Sequence, residues 1–303
     1  MIARRLFTAL ARRAAIAPLL WMALLFLVPF GFVLKISLSQ TALAQPPYLP
    51  LFAWTDGIAG WKAALAALSL DNFRLLVSDD LYIASYLRSL VVALISTALL
   101  LALGYPVAYA MARLPPRAQG LAMMLVIVPF WTSFLIRIYA WINILQHDGL
   151  LNQILLALHI VSAPVVWLST DRAMYLGIVY SYLPFMILPL YATLAKQDGA
   201  LLEAASDLGS SRLQAFWLVT FPLSLPGIGA GVLLCFIPIV GEFVIPDLLA
   251  GSDSMMIGQT LWLEFFTNKD WPVASAIAIV LLVLLLLPLL VYDRLQRRQL
   301  EAR

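Results

Sequence analysis

The stretch EAASDLGSSRLQAFWLVTFPLSLPG, residues 203–227, opens polar and amphipathic and, after Arg212, runs without a charge into an apolar segment marked by prolines. Upstream, Asp198 is placed to cap a helix on which Leu201, Ala204, Ala205 and Leu208 recur on one face, while Glu203, Ser206 and Asp207 fall on another. Gly209 supplies a left-handed C-terminal position, and Ser211 with Gln214 three residues later forms a capping box that starts a second helix. The segment therefore reads as helix, tight turn, helix. Ala204 and Ala205 are small enough for another surface to approach the backbone closely, and Glu203 offers a carboxylate to a basic partner. Three roles compete: a helix lying on a membrane, a DNA-reading helix-turn-helix, and a docking element for a second protein. Only Arg212 is basic nearby, and the second helix continues into WLVTFPLSLPG. No charged face is left for phosphates, so nucleic acid is not an expected partner.

The rest of the chain explains why such an element needs a special role. Of 303 residues, 63% are hydrophobic and 12% charged, a balance that belongs to membrane proteins. Six runs are long enough to cross about 30 Å of hydrocarbon as helices of roughly 20 residues. They fall at residues 15–34, 89–112, 120–146 (interrupted by Arg137), 173–195, 225–250 (interrupted by Glu242) and 272–292. An all-α bundle of six helices is expected, because a helix satisfies its own backbone in lipid. With the N-terminus inside, twelve of the nineteen basic residues face the cytoplasm, and the outer loops hold only Lys62, Arg74, Arg88, Arg172 and Lys269. That asymmetry predicts both termini inside. A rival reading makes the first run a cleaved signal peptide ending at ALA, residues 42–44. Its length and the intervening Lys35 favour a retained helix. Residues 39–87 read as an outer loop with one or two short helices, and LLNQILLALHIV, residues 150–161, as a helix along the outer interface. The lone Cys235 allows no intrachain disulfide.

The spacing of Glu203, Ala204, Ala205 and Gly209, followed by VTFP at residues 219–222, resembles the loop signature of binding-protein-dependent ABC importer permeases. Val219 and Phe221 depart conservatively from the Ile and Leu usual there. PFWTSFLIRIYAW (residues 129–141), GEFVIPDLLAG (241–251) and EFFTNKDWPVASA (264–276) resemble the permeases of bacterial putrescine and spermidine importers, the putrescine type above all. The resemblance implies the type I ABC importer permease fold, with the signature loop docking into an ATP-binding subunit through Glu203, Ala204, Ala205, Asp207, Gly209 and Pro222. It implies a cytoplasmic N-terminus and first transmembrane helix over residues 1–38 and a periplasmic loop over 39–87. A permease domain follows over 88–293, with five helices and the coupling loop at 196–222, then a cytoplasmic tail at 294–303. It also implies partners: a second permease, two ATP-binding subunits carrying ATP and magnesium, a periplasmic polyamine-binding protein, and the lipid bilayer. The expected seat is the bacterial inner membrane.

The residues agree with a borrowed motor. No G-x-x-x-x-G-K-[ST] occurs to cradle phosphates, no G-x-S-x-G supplies a nucleophile, and His147 and His159 lack metal-ligand spacing. The chain is expected to be neither an enzyme nor a holder of cofactor or metal. Two rivals remain: a self-contained secondary transporter with Glu242 as its coupling site, and an intramembrane enzyme such as a protease. Charge at membrane depth is costly and marks function. Arg137 lies near the outer end of the third run, where it would snorkel to the interface. Glu242 lies deeper, about two turns inside the outer end of the fifth helix, and either pairs with Arg137 or meets a passing polycation. A diamine calls for carboxylates and aromatic faces, so Asp247, Trp131, Tyr139 and Tyr182 are the candidates to join Glu242.

Overall fold

The computed structural model describes residues 2–51, 57–251 and 255–301. The first helix, α1 (Ile2–Ser37), carries an apolar stretch over residues 18–37 and leaves nearly all of it unburied, Ser37 at its end being the exception. A two-stranded antiparallel pair follows, β1 (Gln40–Thr41) with β2 (Tyr48–Leu49), then the short helices α2 (Gly57–Ala66) and α3 (Asp71–Ser78). These are the two short helices expected of the loop; part of it, residues 52–56, lies outside the described residues.

Further apolar helices are α4 (Asp80–Ala112) and, after α5 (Pro116–Ile127), α6 (Phe134–Leu145) and the short α7 (Leu150–Ala157), α8 (Asp171–Leu194). The segment 196–222 contains α9 (Ala200–Asp207) and α10 (Arg212–Ala215), followed by α11 (Phe221–Val240), α12 (Val244–Leu249), α13 (Ile257–Trp262) and α14 (Trp271–Glu301). Among the described residues, five helices are long and apolar enough to span a membrane, and six if a bent pair counts as one span.

That bent pair corrects the third run, which the pattern treats as one continuous helix. After α5 the chain tightens into a 3-10 turn (Val128–Trp131) and turns by 90° into α6. Pro129 cannot continue the amide ladder, and the Thr132 hydroxyl donates to the Pro129 carbonyl at 2.7 Å. Breaks in a membrane helix are tolerated where side chains re-satisfy the backbone in this way.

The fifth run is corrected too. α11 stops at Val240, and residues 241–243 break it from α12. Glu242 therefore sits in a break between helices, not two turns inside one.

The chain divides into two compact units, Met1–Asp80 with Leu261–Val283, and Leu81–Thr260 with Leu284–Arg303. In the first, the Asn72 amide donates to the carbonyls of Ser37 (2.8 Å) and Ser39 (2.7 Å), fastening α3 to the end of α1. Lys35 donates to the Pro50 carbonyl and lies 4.2 Å from the Tyr48 ring centroid.

In the second unit, α8 and α11 form the core. Lipid gives helices no hydrophobic drive to associate, so close contact between small residues does the holding. A Cβ at Gly231 would stand 2.7 Å from Met186 Sδ, and one at Gly227 2.6 Å from Thr193 Oγ1. On the other side of α8, a Cβ at Gly177 would meet Leu249 of α12 at 2.5 Å. Buried hydroxyls complete the contact between α4 and α13. Ser89 accepts from the Ile257 amide at 2.8 Å, and Thr260 and Ser85 lie 3.1 Å apart.

Candidate functional site

The segment 196–222 has the local structure its residues dictate. Leu208 ends α9, Gly209 adopts φ +84°, and the Gly209 and Ser210 amides donate to the carbonyls of Ser206 (2.9 Å) and Ala205 (3.0 Å). This is a Schellman closure, which needs the left-handed conformation glycine adopts without strain. The capping box is present: Ser211 Oγ accepts from the Gln214 amide at 3.3 Å, and Gln214 Oε1 accepts from the Ser211 amide at 2.9 Å. Asp198 acts one residue earlier than a cap, accepting from the Ala200 amide at 3.0 Å, while Gly199 holds the cap position.

The apolar face of this element is not spent on the chain itself. Leu201 is 47% exposed, Leu208 88% and Leu213 68%, and Glu203, Ala204, Asp207 and Pro222 are exposed as well, with Ala205 half-buried.

The segment is nevertheless tied to the core. Pro222 has no amide hydrogen to give Leu218, and the chain widens into a π turn at residues 216–220, where the Phe221 amide reaches back to the Phe216 carbonyl. The Gln197 side chain donates to the Thr220 carbonyl at 3.1 Å, and Tyr105 of α4 lies 3.0 Å from the Ser224 hydroxyl. Phe216 meets the Tyr105 and Tyr109 rings edge-on at 5.8 and 5.5 Å. The residues that flank α9 are thereby packed against α4 and α11. The pattern of the segment alone missed this cluster, because Tyr105 and Phe216 are more than a hundred residues apart.

The candidate path residues separate into two groups. Glu242 and Tyr182, each 9% exposed, come together: the Tyr182 hydroxyl donates to Glu242 Oε2 at 2.5 Å. Glu242 Oε1 accepts from the amides of Val244 (3.0 Å) and Ile245 (3.4 Å), the first two residues of α12. A buried carboxylate must be met by donors, and these three meet it. Gly258 of α13 closes the other side, since a Cβ there would lie 2.5 Å from the Gly241 carbonyl and 2.7 Å from that of Glu242. Trp131 (79% exposed), Tyr139 (53%) and the exposed Asp247 do not join the pair within the chain.

Arg137 corrects the ion-pair reading offered for it. No carboxylate lies within 4.0 Å of it among the described residues, so it forms no ion pair with Glu242. Its Nε and Nη1 are buried without a hydrogen-bond partner, and its guanidinium lies 4.6 Å from the Phe130 centroid and 5.8 Å from that of Phe134. It lines a cavity of about 500 Å³ with Phe130, Phe134, Ser181, Tyr182, Phe185, Leu234 and Pro238. Ser181 and Tyr182 stand midway along α8, so the charge shares a cavity with the middle of that helix. The 90° turn carries it there, folding Phe130 and Arg137 toward α8 rather than along one straight helix. Phe130, Phe134 and Phe185 were not among the candidates that the sequence singled out for the path. The spacing of Phe130, Phe134 and Arg137 was a local hint; nothing local pointed to Phe185.

A bundle of apolar helices with a buried carboxylate at a helix break and an exposed amphipathic helix defines the chain as a membrane permease. The chain belongs to the family described as binding-protein-dependent transport system inner membrane component, whose profile matches residues 104–301. It is 44% identical over 229 residues to the spermidine/putrescine transport system permease protein PotB of Escherichia coli (strain K12), covering 76% of this chain and 83% of that one. It is 32% identical over 240 residues to the inner membrane ABC transporter permease protein YdcU of the same strain, covering 75% and 76%. Among solved structures, a chain of a bacterial alginate ABC transporter in complex with alginate pentasaccharide-bound periplasmic protein shares the fold, with a TM-score of 0.73 and 17% identity over 97% of this chain and 96% of that one. The protein is a multi-pass permease subunit of an ABC importer, an inner-membrane component and not itself the ATPase.

Proposed function

We propose that this permease moves polyamines, putrescine or a close relative, from periplasm to cytoplasm. The observation that carries the proposal is the 44% identity to a spermidine/putrescine permease over three quarters of the chain. In this reading the chain pairs with a second permease, two ATP-binding subunits supply ATP and magnesium, and a periplasmic polyamine-binding protein delivers the substrate. Both termini lie in the cytoplasm. Glu203, Ala204, Ala205, Asp207, Gly209 and Pro222 belong to the surface that meets an ATPase, a role supported by the exposed apolar face of α9. Glu242 and Tyr182 border the path, and the exposed Trp131, Tyr139 and Asp247 are available to a wall completed by the second permease. Positive charge on a polyamine complements the Glu242 carboxylate, and its methylenes complement aromatic faces.

The test is uptake by the complete transporter in proteoliposomes, with labelled putrescine challenged by unlabelled spermidine and arginine. Polyamine uptake that needs internal or external ATP at the motor, is blocked by vanadate, and is competed by spermidine but not arginine is expected. Uptake by the isolated chain without an ATPase, driven by an ion gradient, would make it a secondary transporter instead.

A further inference from the structure

A cationic side chain lining a cavity between α6, α8 and α11 is unexpected in a protein read as carrying polycations. Arg137 is not there to pair with an acid, and no hydrogen bond holds its Nε or Nη1. What holds it is aromatic: the guanidinium lies over Phe130 and near Phe134. These rings continue into the rest of the cavity. Phe130 meets Phe185 edge-on at 5.3 Å, Phe185 lies 6.1 Å from Tyr182, and the Tyr182 hydroxyl reaches Glu242. The Ser181 hydroxyl, also buried and without a partner, faces the same space. Faces of aromatic rings, a free hydroxyl and a nearby carboxylate are what an alkyl-ammonium group binds. The cavity of about 500 Å³ has room for one.

We propose that the cavity lined by Phe130, Phe134, Ser181, Tyr182 and Phe185 is an alkyl-ammonium subsite and that Arg137 is its tethered occupant. The guanidinium fills the cation's place on Phe130 when no substrate is present and withdraws when a substrate ammonium enters. Its flexible stem and lack of any hydrogen-bonded or ionic anchor at Nε and Nη1 make it replaceable, as an occupant must be. Two like charges do not share the cavity: about 5 Å apart at an effective dielectric of ~20 they repel by the equivalent of roughly 250-fold in affinity. Solvent in an open cavity weakens this, and removing the charge is expected to raise ammonium affinity roughly tenfold or more. The subsite rests on the polyamine reading for its biological ligand but not for its test.

The test measures binding of n-butylammonium to the assembled, detergent-solubilised transporter by saturation-transfer NMR, without ATP. Arg137→Gln should bind it about tenfold more tightly than the wild type. Arg137→Lys, which keeps the charge, should stay near the wild type, and adding Phe130→Ala to Arg137→Gln should remove the gain. No gain in Arg137→Gln, an equal gain in Arg137→Lys, or a gain that survives Phe130→Ala overturns the proposal. Arg137→Met repeats the charge removal with a different shape. Failure of both neutral variants to assemble also overturns it, because a replaceable occupant is not needed to hold the fold. Absence of polyamine uptake by the wild type would defeat the import reading and leave the binding comparison standing.

Discussion

Replacing Tyr182 with Phe removes one oxygen and should loosen the joint between α8 and the break that follows α11. In the structure the Glu242 carboxylate accepts three hydrogen bonds, two on Oε1 from the start of α12 and one on Oε2 from Tyr182. The variant leaves Oε2 buried without that donor. A hydrogen bond to a charged group contributes about 1.5 to 3 kcal/mol, and the loss is at the upper end when the charge stays buried. Glu242→Gln is milder, about 1 kcal/mol, since its carbonyl still faces the α12 amides and its NH2 meets the tyrosine oxygen, which accepts. The double variant should cost less than the sum of the two, with a coupling of about 1 to 2 kcal/mol. Reversible unfolding of the permease in mixed micelles gives the three stabilities. A coupling below about 0.5 kcal/mol would refute the joint, because residues that do not interact add within that margin. Arg137→Gln in the same cycle should be additive with Glu242→Gln, since no ion pair joins them.

Other changes follow from the same geometry. Gly258→Ala places a Cβ 2.5 Å from a backbone carbonyl of the break; the backbone must shift, and a loss of about 1 to 3 kcal/mol is expected in the same unfolding assay, with reduced ATP-driven uptake. Gly209→Val forces a β-branched residue to φ +84°, which costs about 1 to 2 kcal/mol and distorts the turn after α9. The variant should insert in the membrane yet fail to retain its ATPase on purification, and normal retention with normal uptake would count against docking. Leu208→Lys alters a side chain 88% exposed, so the isolated chain should keep its stability within about 0.5 kcal/mol while ATPase co-purification falls.

How much of this was legible beforehand depends on the reach of each signal. The helix, turn and helix around Gly209 were readable residue by residue, because a left-handed glycine and a Ser/Gln capping box are chemistry spanning a few positions. The apolar spans were readable for a similar reason: hydrocarbon admits few backbones, and a run of about 20 apolar residues announces a helix. Termination was less legible. Pro129 inside a long apolar run is compatible with a kink or a full turn, and only the Thr132 hydroxyl and the packing of Phe130 against α8 decide for 90°. Likewise Gly241 and Glu242 looked like helix interior by composition.

Sequence by itself determined the class of protein, the apolar segments, the short amphipathic helix closed by Gly209 and which residues carry charge within apolar runs. Tertiary structure alone decided what those charges meet: Glu242 turns to Tyr182, 60 positions away, and Arg137 to aromatic rings instead of a carboxylate. The physical reason is range. Periodicity and capping record what a residue does to its own helix, within about four positions. The partner of a buried charge is set by how helices cross and where they break, and in lipid those crossings rest on close contacts such as Gly231 against Met186 that no single segment contains.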